Sequence, residues 1–204
     1  DSKALVRRTE DRVIIPGRTK PYTLDEVERR GGYDLIYADP SWRYANGGRG
    51  AAINHYATTA DVRLAQMPIG RVGAPNSVLF MWATWPCLPV CIATMAAWGY
   101  FYKTLGFLWV KIYPKAKTPF WGGGFWTRSN SEVCLIGVRG DMRRAANSGP
   151  PASVRQLFLE RVLAGDLEPE AVEAQLGEHS AKPHVFRQRV VQLMGPGLTM
   201  LEMF

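Results

Sequence analysis

Histidine and cysteine are scarce in this chain, at three residues each among 204. Cys87, Cys91 and Cys134 lie in apolar context, their spacing fits no zinc pattern, and an odd count argues against a disulfide framework. They are expected to be reduced core residues of a cytoplasmic protein with no metal site. Long hydrophobic runs are missing too. No stretch reaches the about 18 uncharged apolar residues of a membrane span. The opening Asp1-Ser2-Lys3-Ala4-Leu5-Val6-Arg7-Arg8 has no signal-peptide apolar core and no initiating Met, which suggests a trimmed chain. No internal repeat is visible. Acidic charge falls short of basic, with 18 Asp and Glu against 25 Lys and Arg, a net charge of +7 and a pI near 9.5. That balance favours a polyanionic partner.

What is present suits one domain over 1–204 with a sizeable core: 47% of residues are apolar and 21% charged, too apolar for global disorder. Apolar runs predict strands over 33–38, 77–82, 105–110, 132–138 and 198–204. Helical spacing predicts helices over about 24–30, 61–67, 87–98 (stopped by Gly99), 153–163 and 183–194, with further helical turns over 168–176. Residues 1–32 read as an N-terminal extension and 153–177 as a helical insertion. Strands alternating with helices give an α/β, doubly wound, mostly parallel sheet.

Asp39-Pro40-Ser41-Trp42, directly after the first apolar run, carries the chemistry. An exocyclic amine on an aromatic base is a poor nucleophile because its lone pair is delocalised. The Asp39 carboxylate and the Pro40 carbonyl can each accept one of its N–H bonds, pulling the nitrogen toward tetrahedral geometry. Proline fixes its own φ and so holds that carbonyl in place. Trp42 either offers a flat face for a base to stack on or packs in the core. The following Arg43-Tyr44-Ala45-Asn46-Gly47-Gly48-Arg49-Gly50 is a lid or an ordinary surface loop. His55 and Tyr56 touch substrate or pack a loop. Residues 114–130, rich in Gly, Pro and Trp, form a long and therefore functional loop. Trp121 and Trp126 within it stack on flanking bases or seal the core. Ligands of such sheets bind beyond the carboxyl ends of strands. Asp39 and Lys111 follow strands directly, and Glu202 sits near the end of the last one. Lys111 then touches substrate or donor, or is a surface lysine; Glu132 pins Arg128 or Asn130.

These landmarks, in order with Leu79-Phe80-Met81-Trp82, Ala97-Trp98-Gly99-Tyr100, Trp109-Val110-Lys111, Arg128-Ser129-Asn130-Ser131-Glu132, Leu135-Ile136-Gly137-Val138-Arg139-Gly140, Glu178-His179-Ser180-Ala181-Lys182-Pro183 and Leu201-Glu202-Met203-Phe204, carry a resemblance. From about Tyr33 to Phe204 the chain resembles adenine-N6 methyltransferases related to the catalytic subunit of the eukaryotic mRNA adenosine methyltransferase, particularly their short bacterial and phage members. The resemblance implies a Rossmann-like class I methyltransferase fold with the catalytic motif before the cofactor motif, and S-adenosylmethionine as donor. It implies that Asp39 and Pro40 receive the amine and Trp42 stacks on adenine. Asp39, Lys182, Glu202 and Phe204 would border the donor, His179 preceding that lysine in a direct or structural role. Ser41, Arg43, Tyr44, Arg49, Tyr56, Lys111 and Trp126 would face substrate. Two departures stand out: Ser41 replaces a second proline, and the sequence stops at Phe204, before a basic residue and an Asn-containing motif. The expected activity is methylation of adenine N6 in DNA within a bacterial or phage-infected cell, as a homodimer or with a methyltransferase partner subunit. Alternatives are the same chemistry on RNA, or a catalytically silent nucleic-acid-binding subunit.

Overall fold

The computed structural model describes residues 13–14, 24–42, 61–113, 118–123, 126–141, 156–159, 182–195 and 197–203. Their strands are β1 (Val13–Ile14), β2 (Tyr33–Ala38), β3 (Gly73–Ala83), β4 (Phe101–Val110), β5 (Ser131–Arg139), β6 (Leu157–Leu159) and β7 (Met200–Met203). The helices are α1 (Leu24–Arg30), α2 (Asp61–Gln66), α3 (Ile69–Val72), α4 (Leu88–Ala97) and α5 (His184–Met194). One sheet holds all seven strands in the order β1-β7-β2-β3-β5-β4-β6.

The centre is parallel. Ile36 of β2 faces Leu79 of β3 on one side and Leu201 of β7 on the other. Buried on both faces, these strands need near-continuous apolar sequence, and Val78 to Ala83 of β3 supply it without a break. Two strands run the other way. β5 lies between β3 and β4 and is antiparallel to both, and β1 is antiparallel to β7. β4 therefore points the same way as β3, although β5 separates them. The crossover through α4 leaves that gap, and the chain returning from β4 fills it.

Helices cover both faces. Under α1–α4 lie Ile36, Ala38, Leu79, Met81, Val133 and Leu201, with Leu64, Cys91, Met95 and Trp98. Under α5 lie Leu35, Tyr37, Val78, Phe80, Trp82, Phe107, Trp109 and Cys134, with Phe186, Val190 and Met194. Alternate residues of each strand go to opposite clusters, as the pleat requires. α4 stops where Gly99 adopts φ +82°, a left-handed conformation suited to glycine. The three cysteines are buried thiols outside any disulfide. Burial, with Cys87 nearby, pushes the Cys91 thiol up to about 12, so it behaves as a small apolar group.

Several segments differ from the sequence expectations, β4 among them, since it begins at Phe101 rather than 105. Residues 157–159 are not helical: they form an edge strand parallel to Leu108–Val110 of β4. Val154, Leu157, Phe158 and Val162 fit a helical spacing, but Leu157-Phe158-Leu159 is equally a short apolar run, and the open edge of β4 decides between the two. β3 begins at Gly73 rather than 77 and runs through Pro75, at a register irregularity where a missing N–H is tolerated. The polar N-terminal stretch contributes β1 to the sheet. The helical turns expected over 168–176 lie outside the described residues.

Candidate active site

Strand parity brings the charged residues together. On the α5 face, Leu35 and Tyr37 of β2 are followed two residues on by Asp39. Phe107 and Trp109 of β4 are followed by Lys111, and Met200 of β7 by Glu202. Glu132 belongs to the same row because Cys134 and Ile136 of β5 point to that face. β5 runs backwards, so its start lies at the edge where β2, β3, β4 and β7 end. Lys182 reaches this edge from the segment that opens α5.

The result is an alternating chain of four charges. The Lys182 ammonium donates to both Asp39 oxygens at 2.8 Å and lies 3.0 Å from Glu132 Oε2. Glu132 Oε1 accepts from Lys111 Nζ at 2.5 Å. Three carboxylate oxygens thus surround an ammonium with three N–H donors. The Lys182 side chain is only 5% exposed and that of Glu132 11%. Indole rings floor the chain. Lys111 Nζ lies 4.6 Å from the Trp109 ring centre, and Lys182 Nζ 5.3 Å from that of Trp82, close enough for cation–π attraction. Trp82 packs edge-on against Phe186 of α5 at 4.7 Å and donates its N–H to Tyr37 Oη at 2.7 Å. The Trp109 N–H is buried with no acceptor among the described residues.

Burial and charge pull against each other here. Burial pushes the Asp39 carboxyl above the ordinary carboxylate range, opposed by the Lys182 ammonium. Burial pushes Glu132 up as well, yet the ammoniums of Lys182 and Lys111 together hold it below that range. Burial disfavours charge on Lys182, but two carboxylates overcome this and keep it protonated beyond the ordinary lysine range. One cation therefore serves two acids, and the acid with the second cation is the more firmly ionised.

The other expected site residues divide sharply. Pro40 is buried and Ser41 half-buried at the turn. Trp42 is in the core under α1–α4, 4% exposed, with its N–H on the Trp82 carbonyl at 2.7 Å. That corrects its expected role as an open stacking face: the ring anchors the turn carrying Asp39. Glu202 lies 3.0 Å from Arg187 Nε of α5, its side chain 25% exposed. Lys111 is held by Glu132 rather than free on the surface. Trp126 is fully exposed. Arg43, Tyr44, Arg49, His55, Tyr56, His179 and Phe204 lie outside the described residues. Glu132 is the residue whose role the sequence reading missed. Its carboxylate bridges two lysines, a role distinct from the expected pinning of Arg128 or Asn130. The available signal was parity, an acid two residues before Cys134, at the start of the apolar run Val133–Val138.

Residues 33–204 match the MT-A70 family. The chain is also 28% identical over 210 residues to a Mycoplasma sp protein named type II methyltransferase M.MunI, in an alignment covering 91% of this chain and 78% of that protein. The family match spans the sheet from β2 to β7 together with the charged edge, and the chain belongs to the MT-A70 family of adenine methyltransferases.

Proposed function

We propose that this protein methylates the N6 amine of adenine in DNA, using S-adenosylmethionine, and that Asp39 receives the amine. The observation that carries this reading is the Asp39–Lys182–Glu132 arrangement at the carboxyl edge of the sheet. Asp39 needs one free lone pair to accept an amine N–H. Lys182 can surrender one Asp39 oxygen and keep the other together with Glu132, so the amine enters without leaving a buried charge unpaired. The Pro40 carbonyl, fixed by its ring, is the second acceptor. Together they localise the nitrogen lone pair, an interaction worth more in the transition state than in the ground state. The proton that the methylated nitrogen sheds needs no dedicated base, because a positively charged arylamine is strongly acidic.

The described residues fit the charged and polar parts of the donor. Its carboxylate, ribose diol and adenine ask for a cation, an acid and an apolar wall. Lys182 supplies the first and Glu202 the second. The unmatched Trp109 N–H, beside the two lysines, is a further donor for a polar ligand atom. S-adenosylmethionine supplies an electrophilic methyl group when bound. The protein's work is to hold Asp39 ionised, orient the amine and exclude water. The charge of +7 supports a polyanionic substrate, and similarity to a protein named a type II methyltransferase supports DNA.

The test uses methyl-labelled donor with matched DNA and RNA oligonucleotides. The expected outcome is label on adenine N6 in DNA. Asp39→Ala should lower the rate about 100- to 1,000-fold while nucleic-acid binding persists. Methylation undiminished in Asp39→Ala rejects the assignment, and preference for the RNA strand corrects the polymer.

A further inference from the structure

Four of the seven tryptophans, Trp42, Trp82, Trp98 and Trp109, are 6% exposed or less. The other three, Trp85, Trp121 and Trp126, are 48%, 69% and 100% exposed. These three leave the sheet at one edge. Trp85 lies just past the end of β3, and Trp121 and Trp126 lie in the β4–β5 connection between Lys111 and Ser131. That is the edge carrying the charged chain. We propose that Trp85, Trp121 and Trp126, with Arg128, form a stacking platform for unpaired DNA bases flanking the target adenine. The proposal rests on the methyltransferase reading for the identity of the polymer.

The rim is held as well as exposed. The Trp85 N–H donates to Ser131 Oγ at 2.9 Å, next to Glu132. The Trp121 backbone N–H donates to Tyr113 Oη at 3.3 Å, and the Arg128 guanidinium lies 5.5 Å from the Trp121 ring centre. The Phe120 N–H donates to the Lys111 carbonyl at 2.9 Å, tying the connection to the far end of the charged chain. The loop that carries Trp126 is closed by the Ser129 N–H on the Gly123 carbonyl at 3.2 Å. A Cβ on Gly122 would stand 1.9 Å from the Ser129 carbonyl oxygen, so only glycine lets the two sides approach. Large flat rings held out in water on a hydrogen-bonded backbone are placed for contact rather than for packing.

The chemistry selects the occupant. Arg128 over Trp121 sets a cation against an exposed flat face, the pattern that grips a phosphate backbone while bases stack. A chain of +7 favours that polyanion over a second copy of itself. Stacking tolerates any base, so this rim would set affinity for an unpaired or extruded segment rather than read its sequence.

The experiment uses the full chain and a labelled single-stranded DNA of about 12 nucleotides with a central adenine, with binding read by fluorescence anisotropy. Trp121→Ala and Trp126→Ala should each weaken binding about 5- to 100-fold. Trp126→Phe should recover most of the loss, and donor affinity should stay at the parent value. Parent-like DNA affinity in both alanine variants overturns the proposal. So does a change in sedimentation without a change in affinity, which would make the rim a contact between copies. If the parent binds this DNA through the tryptophans yet transfers no methyl group, the platform stands and the catalytic reading falls.

Discussion

Under α1–α4 the buried polar side chains among the described residues are neutral and small in number. Ser77 Oγ and Tyr100 Oη share a hydrogen bond at 2.9 Å. Trp98 donates to the Leu64 carbonyl and Trp42 to that of Trp82, each at 2.7 Å. Under α5 the interior is just as apolar at its middle, but its carboxyl edge holds two acids and two lysines over indole rings. The same strands build both faces, so the difference lies in the side chains that parity places just past each strand end. Neutral pairs cost little to bury and serve the fold. A buried alternating charge chain gains little stability over an apolar substitute, which fits the catalytic role proposed for it. The two faces should therefore respond oppositely to mutation.

The largest effect is expected from removing the shared cation. Lys182→Met leaves Asp39 and Glu132 facing each other without their common partner. Breaking one side of a buried pair costs roughly 3–5 kcal/mol, which urea unfolding at neutral pH should show. Methyl transfer should fall at least about 100-fold, since Asp39 would then take up a proton and lose its acceptor role. A variant as stable as the parent would mean the ammonium carries none of the charge balance, and the contrast between faces would collapse.

Leu79→Ala probes the opposite face. Leu79 is fully buried between Ile36 and Gly137. The substitution should cost about 2–5 kcal/mol, and the melting temperature should drop by about 2–4 °C for each kcal/mol. Methylation measured well below the melting transition should keep the parent rate. A large rate loss in the folded variant would show that the apolar face also shapes the site.

Much of this division was legible in the sequence, for a physical reason. Buried parallel strands must be apolar throughout, so Tyr33–Ala38 and the core of β3 announce themselves, and Asp39 marks where the apolar run ends. The direction of β5 was not legible, because an apolar strand reads the same whichever way it runs. Its reversal is what delivers Glu132 to the site. Trp42 illustrates the other limit: residue type says that an indole can stack, but only packing shows its N–H committed to the Trp82 carbonyl. Leu157–Leu159 reads as helix or strand until the edge of β4 is seen to lie beside it.

The finest test of the contrast is pH. Burial raises Asp39, so its proton is bound more tightly in the folded state, and this group favours folding less as pH rises through the interval above the ordinary carboxylate value. Glu132 is depressed by the two lysines, so its contribution is present above the ordinary value and lost as pH falls through the folded one. Acidification should therefore silence the enzyme before it unfolds this edge: Asp39 protonates first, with Glu132 still charged. Glu132→Gln removes a negative neighbour that raises Asp39 and leaves Lys182 to Asp39 alone. Both changes release the Asp39 proton at lower pH. The acid limb of kcat/KM, measured over about pH 4 to 8, should move toward acid in this variant, with part of the acid-dependent stability loss removed. A limb that stays in place while kcat alone drops would make Glu132 a structural support only, and would break the coupling between the two acids on which the charged face depends.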